Sequence, residues 1–155
     1  MNFVRAVLAF LALPGTVAFI VPLLVIDAGA PRPDPIALLP LVPGIGGLLW
    51  CVRSFYVEGQ GTLAPWSPPR HLVMGGLYRY SRNPMYVSVA VILWGWAVLF
   101  QSQPHALYAL AVMLAFHLRV VLGEEPWLAR THGDTWARYR AEVPRWIGIG
   151  KGRQA

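Results

Sequence analysis

Residues 84–118 contain no Asp, Glu, Lys or Arg and read PMYVSVAVILWGWAVLFQSQPHALYALAVMLAFHL. The polar turn Gln101-Ser-Gln-Pro-His105 divides this stretch, and the apolar pattern runs from 85 to 100 and from 106 to 122. A Pro-containing polar turn between two apolar segments indicates a helical hairpin. Each segment approaches the length that a helix needs to cross a bilayer. The sequence therefore predicts two transmembrane helices joined by a short turn.

Two further apolar runs precede this hairpin, at 6–26 and 36–57. Both are long enough to cross a bilayer, and the prolines in the first indicate a kink. The alternative for the first run is a cleaved signal peptide, because residues 28–30 read AGA, but the apolar part of a signal is usually shorter. A retained helix is favoured. We predict an all-α integral membrane fold with four transmembrane helices, at about 6–26, 36–57, 85–100 and 106–122.

Composition supports a single membrane domain over residues 1–155. Hydrophobic residues make up 56% of the chain and charged residues 13%, where soluble domains have about 25% charged residues. Disorder is excluded because it requires low hydrophobicity. One cysteine, Cys51, permits no intramolecular disulfide, and no histidine pair has the spacing of a metal motif. We expect no metal.

The net charge of +6 predicts orientation. Most basic residues gather in the loop 58–84 and in the tail 123–155. The loop and its boundary contain Arg53, Arg70, Arg79 and Arg82, and the tail contains Arg130, Arg138, Arg140, Arg145, Lys151 and Arg153. The positive-inside rule makes both segments cytoplasmic, with both termini on that side, and we expect an inner membrane of the bacterial type. This bias explains the charge without a nucleic-acid partner.

The tail contains a candidate amphipathic helix. Trp136, Tyr139 and Val143 recur at spacings of three and four residues, with charged residues between them. Gly133-Asp134 indicates a break before this helix, and Pro144 its end. We expect a C-terminal cytoplasmic helix that lies on the membrane or covers the bundle.

Two polar blocks carry the candidate chemistry. In the loop, Pro84 suits the first turn of a helix and Asn83 the N-cap, whose positive dipole end favours an anionic ligand group. The alternative is that the loop tyrosines form an interfacial aromatic belt and its arginines contact anionic lipids.

The second block is the acidic pair Glu124-Glu125, placed where the last span should end. Carboxylates are disfavoured at a helix C-terminus and near lipid, so the pair favours a functional role. The alternative is a solvated pair at the helix exit, or a helix that continues and carries the pair into water. Arg119 lies inside the apolar span, where an arginine is either functional or extended to the interface. By contrast, Gly44, Gly46 and Gly47 indicate a close-packing helix face.

The two blocks together resemble one enzyme family. Residues 71–86 contain Gly-x-Tyr followed by Arg-Asn-Pro-Met-Tyr, and the second block reads Glu-Glu-Pro-x-Leu from residue 124, followed by Gly133, Trp136, Tyr139 and Val143-Pro144-Arg145. This pattern resembles the isoprenylcysteine carboxyl methyltransferase and phospholipid methyltransferase family. The chain departs from it at Asn83, where the family often has histidine.

The resemblance implies a membrane methyltransferase that uses S-adenosylmethionine at the cytoplasmic face. It implies a cofactor site formed by His71, Leu72, Val73, Tyr78, Asn83, Pro84, Met85, Tyr86 and Glu124. It also implies catalytic roles for Arg119, which would face the substrate, and Glu125, which would support the site or face the substrate. If the acceptor is an amine, we expect Glu125 to act as the base.

The methyl acceptor is expected to be lipophilic. A prenylcysteine carboxylate, a phospholipid amine and a small lipophilic molecule all stay open as acceptors. A non-enzymatic membrane scaffold or lipid-binding subunit is the alternative of another class, and cofactor binding distinguishes it from an enzyme.

Overall fold

The computed structural model describes residues 11–25, 34–59 and 71–148, and these ranges are helical without a β-strand. Helix α1 comprises the π-helical segment Leu11–Ile20 and the α-helical turn Val21–Leu24. A 3₁₀ turn at Pro35–Ala37 leads into α2, Leu38–Val57. The next helices are α3, Pro84–Leu99, and α4, Gln103–Arg119. A π-helical segment, Val120–Glu124, joins α4 to α5, Glu125–Glu142.

Side chains of α3 and α4 supply hydrogen bonds that Pro22 of α1 cannot donate. Pro22 has no N–H, so it cannot serve Val17 in the π-helical pattern or Ala18 in the α-helical pattern. Tyr108 Oη donates to the Val17 carbonyl at 3.1 Å, and Trp96 Nε1 donates to the Ala18 carbonyl at 2.9 Å. In lipid a free carbonyl has no water to bind, so these bonds hold α1 on the hairpin.

Close helix packing explains the glycines of α2 and α3. A Cβ at Gly44 would lie 2.8 Å from Ile92 Cγ1, and one at Gly95 would lie 2.6 Å from Leu41. A Cβ at Gly47 would meet Ser88, whereas one at Gly46 would meet nothing within 4 Å. The predicted close-packing face is therefore formed by Gly44 and Gly47, and Gly46 points away from it.

Helix α4 leaves a wide apolar face uncovered. Leu114 is 60% exposed and Leu122, in the π-helical segment, is 73% exposed, and Leu107, Leu110 and Leu118 are exposed on the same helix. Exposed leucines along an apolar helix are expected where lipid replaces water. Within the described ranges, two helices are long and apolar enough to span a membrane, Pro35–Val57 and Gln103–Glu142.

Among the described residues, the helices at the other two predicted spans are shorter, at Pro14–Leu24 and Pro84–Leu99. The four-span count and the orientation of the termini therefore stay predictions. Parts of the predicted first span, loop and tail lie outside the described residues, at 1–10, 26–33, 60–70 and 149–155. Arg70, Lys151 and Arg153 belong to those parts.

The helix continues past the predicted end of the last span at residue 122. The chain is helical from α4 through the π-helical segment into α5, so the acidic pair lies inside a long helix and not at its C-terminus. The predicted break at Gly133 is present as a single non-helical residue, with φ 47° and ψ −122°. The helix ends at Glu142, close to the predicted stop at Pro144.

Candidate active site

A cavity of about 800 Å³ lies where the loop before α3 meets α4 and α5. Its lining combines apolar, aromatic and charged side chains: Phe55, His71, Leu72, Val73, Tyr78, Arg82, Asn83, Met85, Tyr86, Leu118, Arg119, Leu122, Gly123, Glu124, Trp127, Leu128, His132, Trp136 and Tyr139. A cavity of this size and mixed lining is typical of small-molecule sites.

The loop backbone is fixed by a tight turn beneath the cavity. Gly76 has φ 55°, and a Cβ there would lie 2.6 Å from Trp50 Nε1, so both the conformation and the space require glycine. The turn continues into a short 3₁₀ helix, Gly76–Arg79, which buries Tyr78 against Phe55 with ring centroids 5.8 Å apart. This packing presents Tyr78 at the inner wall of the cavity.

One wall of the cavity is a polar triad formed by α3, α4 and the π-helical segment. Arg119 Nε donates to Glu124 Oε1 at 2.7 Å and to Tyr86 Oη at 3.1 Å, and Tyr86 Oη in turn donates to Glu124 Oε1. The Tyr86 ring stacks on Phe116 with centroids 4.4 Å apart. Arg119 is 57% exposed in its side chain and Glu124 32%, so the triad remains accessible from the cavity.

The second glutamate of the pair points elsewhere. Glu125 accepts hydrogen bonds from Arg145 Nε and Nη2 at 2.8 and 2.9 Å, and its side chain is 9% exposed. Arg82 Nη1 lies 2.9 Å from Glu125 Oε1, an ion pair whose angle does not meet hydrogen-bond geometry. Glu125 thus ties the loop to the chain after α5.

Charge interactions shift the pKa values in this cluster, which lies beyond the apolar part of the helix. Burial alone would raise the pKa of Glu125, but the hydrogen bond from Arg145 and the charges of Arg82 and Arg145 outweigh burial and lower it. Burial lowers the pKa of Arg82, and Glu125 opposes that effect. Burial also raises the pKa of Tyr139 and of Tyr78. Glu125 is therefore held as a carboxylate.

The end of α5 covers the loop through several polar contacts. Tyr139 Oη donates to the Tyr78 carbonyl at 2.7 Å, and the Arg82 amide donates to the Pro144 carbonyl at 2.9 Å. Asn83 is the N-cap residue of α3, but its side chain makes no capping bond; its Nδ2 donates to the Arg145 carbonyl at 3.0 Å. The two blocks found in the sequence are thus in direct contact.

The structure brings together most of the residues expected at the site. His71, Leu72, Val73, Tyr78, Asn83, Met85, Tyr86, Arg119 and Glu124 line the cavity. Pro84 is buried behind them at the start of α3, and Glu125 is not among the lining residues. The assignment of roles to all these residues stays a prediction.

Sequence reasoning did not assign Arg82, Trp127 or Trp136 to the site. From the sequence, Arg82 belongs to the candidate polar loop and to the charges that predict orientation, with a lipid contact as the alternative, and Trp136 belongs to an amphipathic face. Yet both line the cavity, with the Arg82 guanidinium 5.3 Å from the centre of the Trp136 ring. A signal in the sequence that could have indicated this contact is the opposite charge of Arg82 and Glu125, which lie one in each block.

The comparison with known families gives a clear result. The sequence model of the phospholipid methyltransferase family matches residues 45–135, more than half of the chain. The chain belongs to the phospholipid methyltransferase family. No curated protein and no solved structure matches it.

Membership of this family places the chain among membrane methyltransferases of the phospholipid and isoprenylcysteine class. The matched segment begins in α2 and ends just before Trp136, so it includes the loop, the hairpin and the acidic pair. The resemblance described from the sequence is confirmed at the level of the family. Within the described ranges, no group of three or more His, Cys, Asp or Glu could hold a metal ion.

Proposed function

We propose that this protein is an S-adenosylmethionine-dependent methyltransferase that methylates a lipophilic acceptor at the cytoplasmic membrane face. The observation that carries the proposal is the cavity itself, because it joins the polar Tyr86–Glu124–Arg119 triad to the exposed leucines Leu118 and Leu122. Such a cavity offers a polar site and a lipid-facing side to two different ligands.

The lining residues fit S-adenosylmethionine. The tyrosines and tryptophans offer flat surfaces for an adenine ring. Within the described residues, the hydrogen bonds to Glu124 go to Oε1, which leaves Oε2 for a ribose hydroxyl or an ammonium group. His71 and His132 supply ring N–H donors for the cofactor carboxylate.

When bound, S-adenosylmethionine supplies a methyl group on a sulfonium sulfur. The protein would then contribute mainly proximity and alignment, because a methyl group is transferred in line from donor to acceptor. Glu124, held by Tyr86 and Arg119, would fix the donor, and the space beside Leu118 and Leu122 would admit the acceptor sideways from the bilayer.

The surroundings of Glu125 favour a carboxylate acceptor of the isoprenylcysteine type over an amine. Amine methylation needs a base to remove a proton, and the sequence suggested Glu125 for this role. That carboxylate forms ion pairs with Arg82 and Arg145, and its lowered pKa makes it a weaker base. A carboxylate acceptor needs no base, and Arg119 would orient it. We propose Glu125 as a positioning residue.

Phospholipid N-methylation is the second candidate, and the family model that matches the chain favours it. In that case a group other than Glu125 would have to accept the proton. His132, which lines the cavity beside Trp127, is the candidate we would test for that role.

Cofactor binding is the first test. Calorimetry in detergent with S-adenosylmethionine should show binding to the wild-type protein at tens of micromolar or below. Glu124→Gln removes the charge while keeping the shape, and we expect roughly 10- to 100-fold weaker binding, since a hydrogen bond to a charged group contributes about 1.5–3 kcal/mol. Glu142→Gln, an exposed acid on α5 outside the cavity, is the matched control and should leave the affinity unchanged.

Two outcomes would contradict the proposal. Absence of cofactor binding to folded wild-type protein would favour the membrane scaffold or lipid-binding subunit. Equal affinity of the Glu124 and Glu142 variants would place the cofactor elsewhere.

The acceptor is identified by incubating membrane lipids and prenylated peptides with methyl-labelled cofactor. A carboxylate acceptor yields a methyl ester, which releases labelled methanol in base, whereas an N-methylated phospholipid retains the label. Orientation is tested separately, by labelling single cysteines placed near each terminus from either side of an inner-membrane vesicle. We expect both termini to be cytoplasmic.

A further inference from the structure

The last part of α5 is built as a separate unit behind a hinge. Gly133 has φ 47° and ψ −122°, a conformation that residues with a Cβ rarely adopt, and it interrupts an otherwise continuous helix. A Cβ at this position would meet nothing within 4 Å, so the space on that side of the residue is open. The segment 134–145, called the lid below, therefore joins the long helix through one uncrowded residue.

The lid forms the inner wall of the cavity. Its buried residues are Trp136, Tyr139 and Val143, which are 3%, 6% and 8% exposed, and the first two line the cavity. On the opposite side the lining consists of exposed residues of the long helix, among them Leu118 and Leu122. The side that faces lipid is thus open, whereas the lid closes the side that faces the loop.

Polar contacts fasten the lid to the loop and to the start of α5. They consist of the Tyr139 bond to the Tyr78 carbonyl, the bonds from Arg82 and Asn83 to the carbonyls of Pro144 and Arg145, and the ion pair of Arg145 with Glu125. Leu72, Met74 and Leu128 add apolar packing against the buried lid residues Trp136, Tyr139 and Val143. Water can replace polar bonds of this kind when the lid moves away.

The closed arrangement also leaves donors without acceptors. Among the described residues, Trp136 Nε1 and Arg82 Nε are buried and have no hydrogen-bond partner, and Arg82 Nη1 has only the ion contact with Glu125. A buried donor without a partner raises the free energy of the state that buries it. Opening the lid would expose these groups to water and remove that cost.

We propose that the lid swings about Gly133 to open the loop side of the cavity to water and closes over a bound, water-soluble ligand. The inference rests on the proposed function, because a charged cofactor such as S-adenosylmethionine enters from water and not through the lipid-facing side. The lid is open part of the time without ligand, and binding shifts the population toward the closed arrangement.

Distance measurements across the hinge test this inference. Spin labels on Arg79→Cys and Ala137→Cys, both exposed positions, report the separation of the loop from the lid. The matched pair carries its second label on Thr131→Cys, an exposed position before the hinge. Cys51 is fully buried and so is protected from the label.

Pulsed electron–electron double resonance in nanodiscs should give two distances for the 79–137 pair without ligand. Saturating S-adenosylhomocysteine should leave mainly the shorter one, whereas the 79–131 pair should give one distance that does not change. A single, ligand-independent distance for the 79–137 pair would overturn the lid. If the ligand-free protein shows two distances but binds no cofactor, the lid stands and the proposed function fails.

Two variants outside the cavity lining provide a second readout. Gly133→Ala penalises the closed hinge conformation, and Arg145→Gln removes the ion pair with Glu125. Each should enrich the longer 79–137 distance and raise the dissociation rate of S-adenosylhomocysteine, measured by tryptophan fluorescence, by about tenfold. Wild-type rates and distances in both variants would contradict the inference.

Discussion

The two ends of the α3–α4 hairpin satisfy their polar groups differently. At the distal end, near the turn at residues 100–105, side chains from the hairpin bind backbone carbonyls of α1: Trp96 donates to the Ala18 carbonyl, and a His105 ring nitrogen lies 3.0 Å from the Pro22 carbonyl. At the cavity end, Trp136 and Arg82 have buried donors without partners among the described residues.

This difference shows where the molecule is built for stability and where for function. Hydrogen bonds between the helices and close packing at the distal end favour one well-defined arrangement. Unmatched donors, a cavity and a glycine hinge at the other end reduce stability there, and local rules tend to be broken at functional sites. The contrast can be tested by substitutions that are alike in chemistry but placed at the two ends.

The largest effect should come from Gly44→Leu in the packed half of the molecule. Its Cβ would lie 3.1 Å from the Ile92 backbone nitrogen as well as against the Ile92 side chain, so α2 and α3 must separate. We expect the free energy of unfolding in mixed micelles to fall by about 3 kcal/mol. Gly46→Leu, which would meet nothing within 4 Å, is the control and should change it little. Similar losses in both variants would contradict the assigned packing.

A smaller loss is expected from Trp96→Phe at the distal end. The change removes the indole donor and leaves the Ala18 carbonyl without its partner next to Pro22. Inter-helix hydrogen bonds in membranes contribute about 0.6–1.7 kcal/mol, so the free energy of unfolding should fall by roughly 1 kcal/mol. Unchanged unfolding in the same micelles would show that this carbonyl has another partner.

The smallest effect is expected from the same substitution at the cavity end, Trp136→Phe. It removes a buried donor that has no partner among the described residues, and this gain offsets the loss of packing and of some attraction to Arg82. The free energy of unfolding should stay within about 0.5 kcal/mol of wild type or increase slightly. A loss as large as that of Trp96→Phe would mean that the two ends do not differ in this respect.

Much of the architecture could be predicted from the chain. The apolar runs located the helices and the polar turn located the hairpin, because helix formation and membrane solvation depend on local sequence. The two polar blocks, recognised as a family pattern, located the residues that line most of the cavity. The continuation of the last helix through the acidic pair was only the less favoured alternative, since carboxylates after an apolar run resemble a helix end.

The sequence by itself determined the helix positions, the membrane character and the two blocks that meet. Only the tertiary structure decided the separate surroundings of Glu124 and Glu125. Successive side chains on a helix point about 100° apart, so neighbours in sequence face different surroundings once the helix packs. Glu124 then lines the cavity with Tyr86, and Glu125 joins Arg82 to Arg145. The identity of the residues opposite each carboxylate depends on contacts between distant parts of the chain, which local sequence does not encode.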